Sequence, residues 1–243
     1  MCCLDLGNTR VKLGRFAGGR LVEVAAYPRA EFADALACAL APGPLTVALL
    51  STGAPEEEAR WRDALVDGGA SVWSPRPGDP TQVKVAYATP ETLGADRLAA
   101  AVGAHALYGQ RPALAIDLGT CITYEYLSAA GVYRGGVISP GLDMRLAAMH
   151  LLTGRLPRVT AELPADFPGD STASCLRHGA LGGAAREVAG FVRDFREIEP
   201  AGAVVACGGG FAPLAPLLPA DIDHRPHLVL EGLALMHAYA QTT

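Results

Sequence analysis

Two short segments carry the residue types of a phosphate-handling turn. D-L-G-N-T at 5–9 and D-L-G-T at 117–120 each end an apolar run in a carboxylate, a glycine and a threonine hydroxyl. The glycine lets the backbone turn sharply and approach a ligand that a Cβ would hold off. Successive N–H groups in such a turn, joined by the hydroxyl of Thr9 or Thr120, can surround phosphate oxygens. The aspartate does not bind phosphate itself; it can hold a cation that bridges phosphates. Taken singly, either segment is equally well a hairpin turn whose Asp and Thr cap local backbone groups. The copies stand 112 positions apart, 5 against 117, and their duplication favours a shared nucleotide-phosphate site with Asp5 and Asp117 on either side of a cleft. Neither copy fits G-x-x-x-x-G-K-[ST], nor G-x-G-x-x-G opening a helix, which disfavours the P-loop and dinucleotide folds.

A third segment, L-G-A-D-R at 93–97, opens an Ala-rich helical pattern that begins at or just after Asp96 and runs to Gly109. One reading is a helix-starting Asp followed by an exposed Arg. The other makes Asp96 the acceptor of a substrate hydroxyl proton and Arg97 a two-pronged anchor for a substrate carboxylate. Spacing alone does not choose between them.

The elements that must position these residues alternate along the chain. C-C-L-D-L-G, V-K-L-G-R-F and R-L-V-E-V-A-A-Y read as three strands, the last two joined at Gly18-Gly19. A helix over 30–41, a buried strand L-T-V-A-L-L-S and a helix opened by Pro55 and its glutamates follow. The proline-rich stretch 71–87 reads as loop ending in a short strand. Beyond it come a strand, tight turn and strand over 112–127, then V-Y-R-G-G-V-I-S-P-G, and a helix from Met144 stopped by Pro157. Val188, Phe191, Val192 and Phe195 mark the apolar face of a helix from Ala184, with Arg186 and Glu187 on other faces. A strand, glycine turn and helix over 203–218 and a closing helix L-V-L-E-G-L-A-L-M-H-A-Y-A complete the chain. This is an α/β pattern in two similar halves, 1–112 and 113–243.

Composition narrows the function classes. The 243 residues are half apolar and carry a formal charge of −5, with a mean hydropathy of +0.23. With no basic tract to follow a phosphate backbone, nucleic acid is not an expected partner. No apolar run approaches membrane-spanning length and the N-terminus lacks a leader pattern, so a cytoplasmic protein with no membrane partner is expected. The six cysteines show no C-x-x-C pair and no zinc-like spacing; they read as reduced, buried small hydrophobes.

In order, the motifs resemble those of the type III pantothenate kinases, over almost the whole chain. D-L-G-N-T resembles that family's first phosphate motif, L-G-A-D-R its pantothenate motif and D-L-G-T-C-I-T at 117–123 its second phosphate motif. G-G-V-I-S-P-G-L at 135–142 resembles its following Gly/Pro turn, and L-V-L-E-G-L at 228–233 its C-terminal helix signature. The resemblance implies duplicated ribonuclease H-like domains of the acetate and sugar kinase, Hsp70 and actin superfamily. It implies ATP-dependent phosphorylation of pantothenate to 4'-phosphopantothenate, the first step of coenzyme A biosynthesis, by a homodimer. Alternatives on the same fold are a kinase of another small hydroxy- or carboxylic acid, and a non-catalytic nucleotide-binding regulatory paralogue. By resemblance Asp5, Leu6, Gly7, Asn8, Thr9, Arg10, Val11 and Lys12 lie along the ATP phosphates, with Asp5 near Mg²⁺, and Thr120 touches ATP. Asp117 coordinates a monovalent cation, potassium or ammonium. Tyr87, Gly94, Ala95, Asp96, Arg97, His150 and Thr172 line the pantothenate pocket, with Asp96 as proton acceptor. Cys121 stands where the family usually has alanine.

Overall fold

The computed structural model describes residues 1–41, 45–163 and 167–242. They group into two units, the first built from Met1–Gly109, Gly131–Arg134 and the segment from His227 onward, the second from Gln110–Ala130 and Gly135–Pro226.

In the first unit, β1 (Cys2–Leu6), β2 (Arg10–Ala17), β3 (Arg20–Pro28), β4 (Thr46–Ser51) and β5 (Ser71–Trp73) form one sheet in the order β3-β2-β1-β4-β5. β1 pairs antiparallel with β2 and parallel with β4. All five β1 side chains are buried, because both faces of this central strand are covered. Cys2, Leu4 and Leu6 face a core that includes Ala35 and Ala39 of α1 (Phe32–Leu40) and Trp61 and Leu65 of α2 (Pro55–Asp67). Strand alternation therefore turns Cys3 and Asp5 to the opposite face. α8 (Leu228–Ala240) packs against β1, β2 and β4 and along α3 (Ala95–Tyr108).

The second unit repeats the plan. β7 (Ala113–Leu118), β8 (Cys121–Leu127), β9 (Val132–Pro140), β10 (Ala203–Cys207) and β11 (Asp223–His224) lie in the order β9-β8-β7-β10-β11, with β7 antiparallel to β8 and parallel to β10. Leu114, Ile116 and Leu118 face a core with Val188, Val192 and Phe195 of α6 (Gly183–Ile198). Ala113, Ala115 and Asp117 turn the other way. Each unit is thus a ribonuclease H-like sheet, and in each the aspartate is the penultimate residue of the central strand, on the face opposite the apolar cluster.

The chain does not divide once between 112 and 113. It first crosses at Gly109/Gln110, and α8, expected with the second half, groups with the first unit. β6 (Lys84–Val85) pairs with Val132 and Tyr133 at the start of β9, residues that also group with the first unit. The α8 placement has a steric signature. A Cβ on Gly232 would lie 1.9 Å from the Ala99 carbonyl oxygen, and one on Gly103 would lie 2.8 Å from that of Leu228. Backbone therefore meets backbone where α3 and α8 cross. Gly232→Ala is expected to cost about 1–3 kcal/mol of stability through overpacking, measured by urea unfolding.

Four local expectations change. α4 (Leu142–Leu151) stops well before Pro157, where Thr153 Oγ1 donates back to the Met149 carbonyl at 2.7 Å ahead of Gly154. Helical structure begins not at Ala184 but with α5 (Thr172–Arg177), continuing through a five-residue π turn, His178–Gly182, into α6. Of the cysteines, all free, Cys2, Cys3 and Cys207 are buried, Cys38 and Cys121 are half-buried and Cys175 is exposed. Residues 211–218, expected as one helix, form α7 (Phe211–Leu214) and a 3₁₀ turn.

Candidate active site

The first acid-glycine turn joins β1 to β2. Asp5 is buried and stands in register with Lys12, whose Nζ lies 3.8 Å from its Oδ2. The Gly7 N–H donates to the Arg10 carbonyl at 3.0 Å, closing the loop over Asn8 and Thr9. With Leu6, Arg10 and Val11 in the flanking strands, Asp5 to Lys12 form one hairpin tip.

Residues remote in sequence hold that tip. The Arg29 guanidinium donates to the Gly7 carbonyl at 3.0 Å, and its Nε donates to Glu57 at 2.7 Å. Arg29 N–H bonds the Thr9 carbonyl at 3.1 Å, while the Thr52 N–H and hydroxyl both donate to the Leu6 carbonyl, each at 3.2 Å. These supports had no sequence signal, since each acts across a long separation on a backbone carbonyl.

The L-G-A-D-R segment lies in the same unit. Gly94 is the residue before α3, and a Cβ there would meet Asp96 Oδ1 at 2.5 Å. Ala95 is the first helical residue, so the helix starts just ahead of the expected point. Asp96 Oδ1 accepts the Arg97 N–H at 2.9 Å, one of the donors a helix start leaves unpaired. Burial pushes the Asp96 carboxyl above its ordinary range, against the opposing pull of the Arg97 N–H and charge. Arg97 is not exposed but buried, its guanidinium carbon 5.8 Å from the centroid of the Tyr87 ring, within cation–π range. Tyr87 lies just after β6 and contacts Tyr133, with ring centroids 5.9 Å apart. The structure therefore brings Tyr87, Gly94, Ala95, Asp96 and Arg97 together. A cavity of about 410 Å³ borders the Ala95 and Leu98 face of α3, lined by Val83, Val85, Pro90 and Leu93 and the loop around Pro77.

His150 and Thr172 belong to the second unit. His150 Nδ1–H donates to the Leu156 carbonyl at 2.8 Å, leaving Nε2 as its other hydrogen-bonding atom. Thr172 is the exposed first residue of α5, not its cap. Ser171 caps that helix, in a reciprocal box with Ser174.

The second acid-glycine turn joins β7 to β8 with one residue fewer. The Gly119 N–H donates to the Cys121 carbonyl at 2.9 Å, a backbone bond indifferent to the side chain at 121. Gly208, the residue after β10, has φ +89°, and a Cβ there would lie 2.4 Å from Asp117 Oδ1. Glycine is required on both counts. The C-G-G-G run thus forms a niche for the Asp117 carboxylate. Gly141, following β9, donates its N–H to the Thr120 carbonyl at 3.0 Å, and a Cβ there would fall 2.3 Å from that oxygen.

Among the described residues, no three or more His, Cys, Asp or Glu side chains gather as a metal site. Mg²⁺ bound with a nucleotide takes one or two carboxylates plus phosphate oxygens and waters instead of an all-protein cage. The buried Asp5 carboxylate is a donor of that kind. No helix among the described residues is long and apolar enough to cross a membrane.

Comparison with known proteins gives the arrangement a family. A sequence model of type III pantothenate kinase matches residues 1–194. The type III pantothenate kinase of Porphyromonas gingivalis is 39% identical over 236 residues, covering 95% of this chain and 94% of that protein. Among solved structures, a conserved Baf family protein from Campylobacter jejuni aligns over 100% of both chains with a TM-score of 0.64 and 18% identity. The activator of 2-hydroxyisocaproyl-CoA dehydratase from Clostridium difficile, solved with bound ADPNP, aligns over 99% of this chain and 95% of its own with a TM-score of 0.51 and 14% identity. These two likenesses concern the fold. The family match and the curated relative settle more: this chain belongs to the type III pantothenate kinase family.

Proposed function

We propose that the chain transfers the γ-phosphoryl group of ATP to the primary hydroxyl of pantothenate, giving 4'-phosphopantothenate and ADP at the start of coenzyme A biosynthesis. The observation that carries this reading is the substrate motif, with Asp96 and Arg97 at the start of α3 and Arg97 backed by Tyr87, in a chain that matches the family over residues 1–194.

Phosphoryl transfer passes through a loose transition state, so alignment and charge neutralisation outweigh strong base catalysis. Asp96 orients the acceptor hydroxyl and takes its proton late. Arg97, held by Tyr87, fixes the substrate carboxylate through paired N–H groups. Gly94, Ala95 and Tyr87 shape the pocket beside Asp96; His150 and Thr172 are substrate contacts by family resemblance alone. Asp5 to Lys12 line the ATP phosphates, with Gly7, Asn8 and Thr9 offering backbone and side-chain donors, and Thr120 adds a further contact. Asp5 would hold Mg²⁺, which when bound with ATP would supply neutralisation of the phosphate charge. Asp117 holds a monovalent cation, potassium or ammonium, in the niche walled by Gly119 and Gly208.

The reading includes a homodimer and a cytoplasmic location. The homodimer follows the family resemblance, and the adjacent Leu151 and Leu152, 75% and 83% exposed, are candidates for its surface. Six free cysteines support a reducing compartment, and burial pushes the Cys2 thiol up to about 11.

A panel of small hydroxy acids supplied with Mg·ATP tests the substrate. A phosphorylated product from pantothenate, and none from the others, is expected by mass spectrometry. Equal turnover of another hydroxy acid would replace pantothenate in this reading.

A further inference from the structure

Glu187 lies outside every motif, on α6, yet it gathers three donors. Its Oε1 accepts the Tyr124 hydroxyl at 3.0 Å, and its Oε2 accepts the Ser139 hydroxyl at 2.9 Å and Arg145 Nη2 at 2.6 Å. Arg145 also donates from Nε to the Pro140 carbonyl at 2.8 Å and from Nη2 to Ser139 Oγ at 2.7 Å. Tyr124 is fully buried; burial first, and the Glu187 carboxylate second, raise its phenol far above any working pH, so its O–H stays a donor.

This network has one object, the strap Ser139-Pro140-Gly141. The strap is gripped at the Ser139 side chain and the Pro140 carbonyl, and its Gly141 N–H bonds the Thr120 carbonyl at 3.0 Å. At Gly141 the place of a Cβ is taken by the carbonyl oxygens of Thr120 and Gly119, at 2.3 and 2.5 Å. The strap therefore sits flush on the backbone of the second acid-glycine turn, and any shift of it moves Gly119 and Thr120.

We infer that Glu187 is a positioning residue for phosphoryl transfer: through Arg145 and Ser139 it seats the strap on the Gly119-Thr120 turn and so fixes how Thr120 and Asp117 meet the nucleotide. The inference rests on the reading of that turn as a phosphate site, and it concerns the nucleotide side only.

Glu187→Ala is expected to raise the KM for ATP by about 3- to 10-fold and lower kcat by about tenfold, the scale of a small misplacement at a reacting centre, with the KM for pantothenate unchanged. Glu187→Gln, which keeps an acceptor oxygen and the side-chain shape, should recover most of the loss. Tyr124→Phe removes one bond to Glu187 but none to the strap, and should leave the KM for ATP as in the wild type. Calorimetric titration with Mg·ADP, without pantothenate, separates this inference from the substrate reading. An approximately 3- to 10-fold weaker affinity in Glu187→Ala supports it whichever acceptor is phosphorylated. Unchanged Mg·ADP affinity in Glu187→Ala, or a loss of activity that follows the unfolded fraction with both KM values intact, would overturn it.

Discussion

Asp96→Asn is expected to lower kcat by about 10²- to 10⁴-fold, the usual loss on removing a positioned proton acceptor, while Mg·ADP binding stays at the wild-type level. The amide keeps the size of the carboxylate and an oxygen for the Arg97 N–H that Asp96 Oδ1 now accepts at 2.9 Å, so the start of α3 should hold its shape. The pH dependence follows from the environment. Burial raises the Asp96 carboxyl above the ordinary range of an aspartate, so the basic form is lost, as pH falls, at a higher pH than for an exposed aspartate. The acid limb of kcat/KM should lie above the ordinary carboxylate range and be absent from the residual activity of the variant. Stability should move the other way. A carboxyl whose folded pKa is raised contributes stability below its unfolded pKa and loses it as pH rises through the folded one. At neutral pH the buried charge is therefore a net cost, and Asp96→Asn should be more stable than the wild type there, with the difference vanishing in acid. Urea unfolding at two pH values checks the sign. A variant with near-normal turnover would remove Asp96 from the chemistry.

Asp117→Asn is expected to cost about 10²- to 10³-fold in kcat, the range for loss of one preorganised electrostatic group, and to abolish stimulation by potassium or ammonium. The substitution keeps volume and removes charge. The niche offers little room for compensation, because Gly208 at φ +89° brings its backbone so close that a Cβ would stand 2.4 Å from Asp117 Oδ1. Magnesium dependence should persist in the variant, since Asp5 is untouched. Titration of rate against potassium, at constant ionic strength with sodium, reads the effect. An undiminished potassium response in Asp117→Asn would separate that residue from the monovalent cation.

What the sequence makes legible here is what short spacing encodes. Asp-x-Gly after an apolar run marks both central strands, because alternation and a glycine turn are local properties. The same holds for α3, whose observed start at Ala95 lies within a residue of the expected one. The ends set by other contacts were not legible: α4 stops at Leu151, just ahead of Thr153, whose hydroxyl bonds the Met149 carbonyl, and not at its proline. Pairing across the chain was hidden too. Nothing in P-R-A-E-F says that Arg29 reaches Gly7, and the helical period of α6 marks Glu187 only as polar, without showing that it faces Ser139. The C-G-G-G run was legible as a tight turn, but its service to Asp117 depends on β10 lying parallel beside β7. The same applies to α8, whose glycine is meaningful only once Ala99 is found against it.

The most direct test of the central claim is ADP release by the purified chain with Mg·ATP and pantothenate, run in potassium, in ammonium and in sodium alone. Pantothenate-dependent release that requires potassium or ammonium is the expected result, joining the substrate to Asp96 and the cation to Asp117. ATP binding without pantothenate-dependent release under any of the three conditions would contradict it.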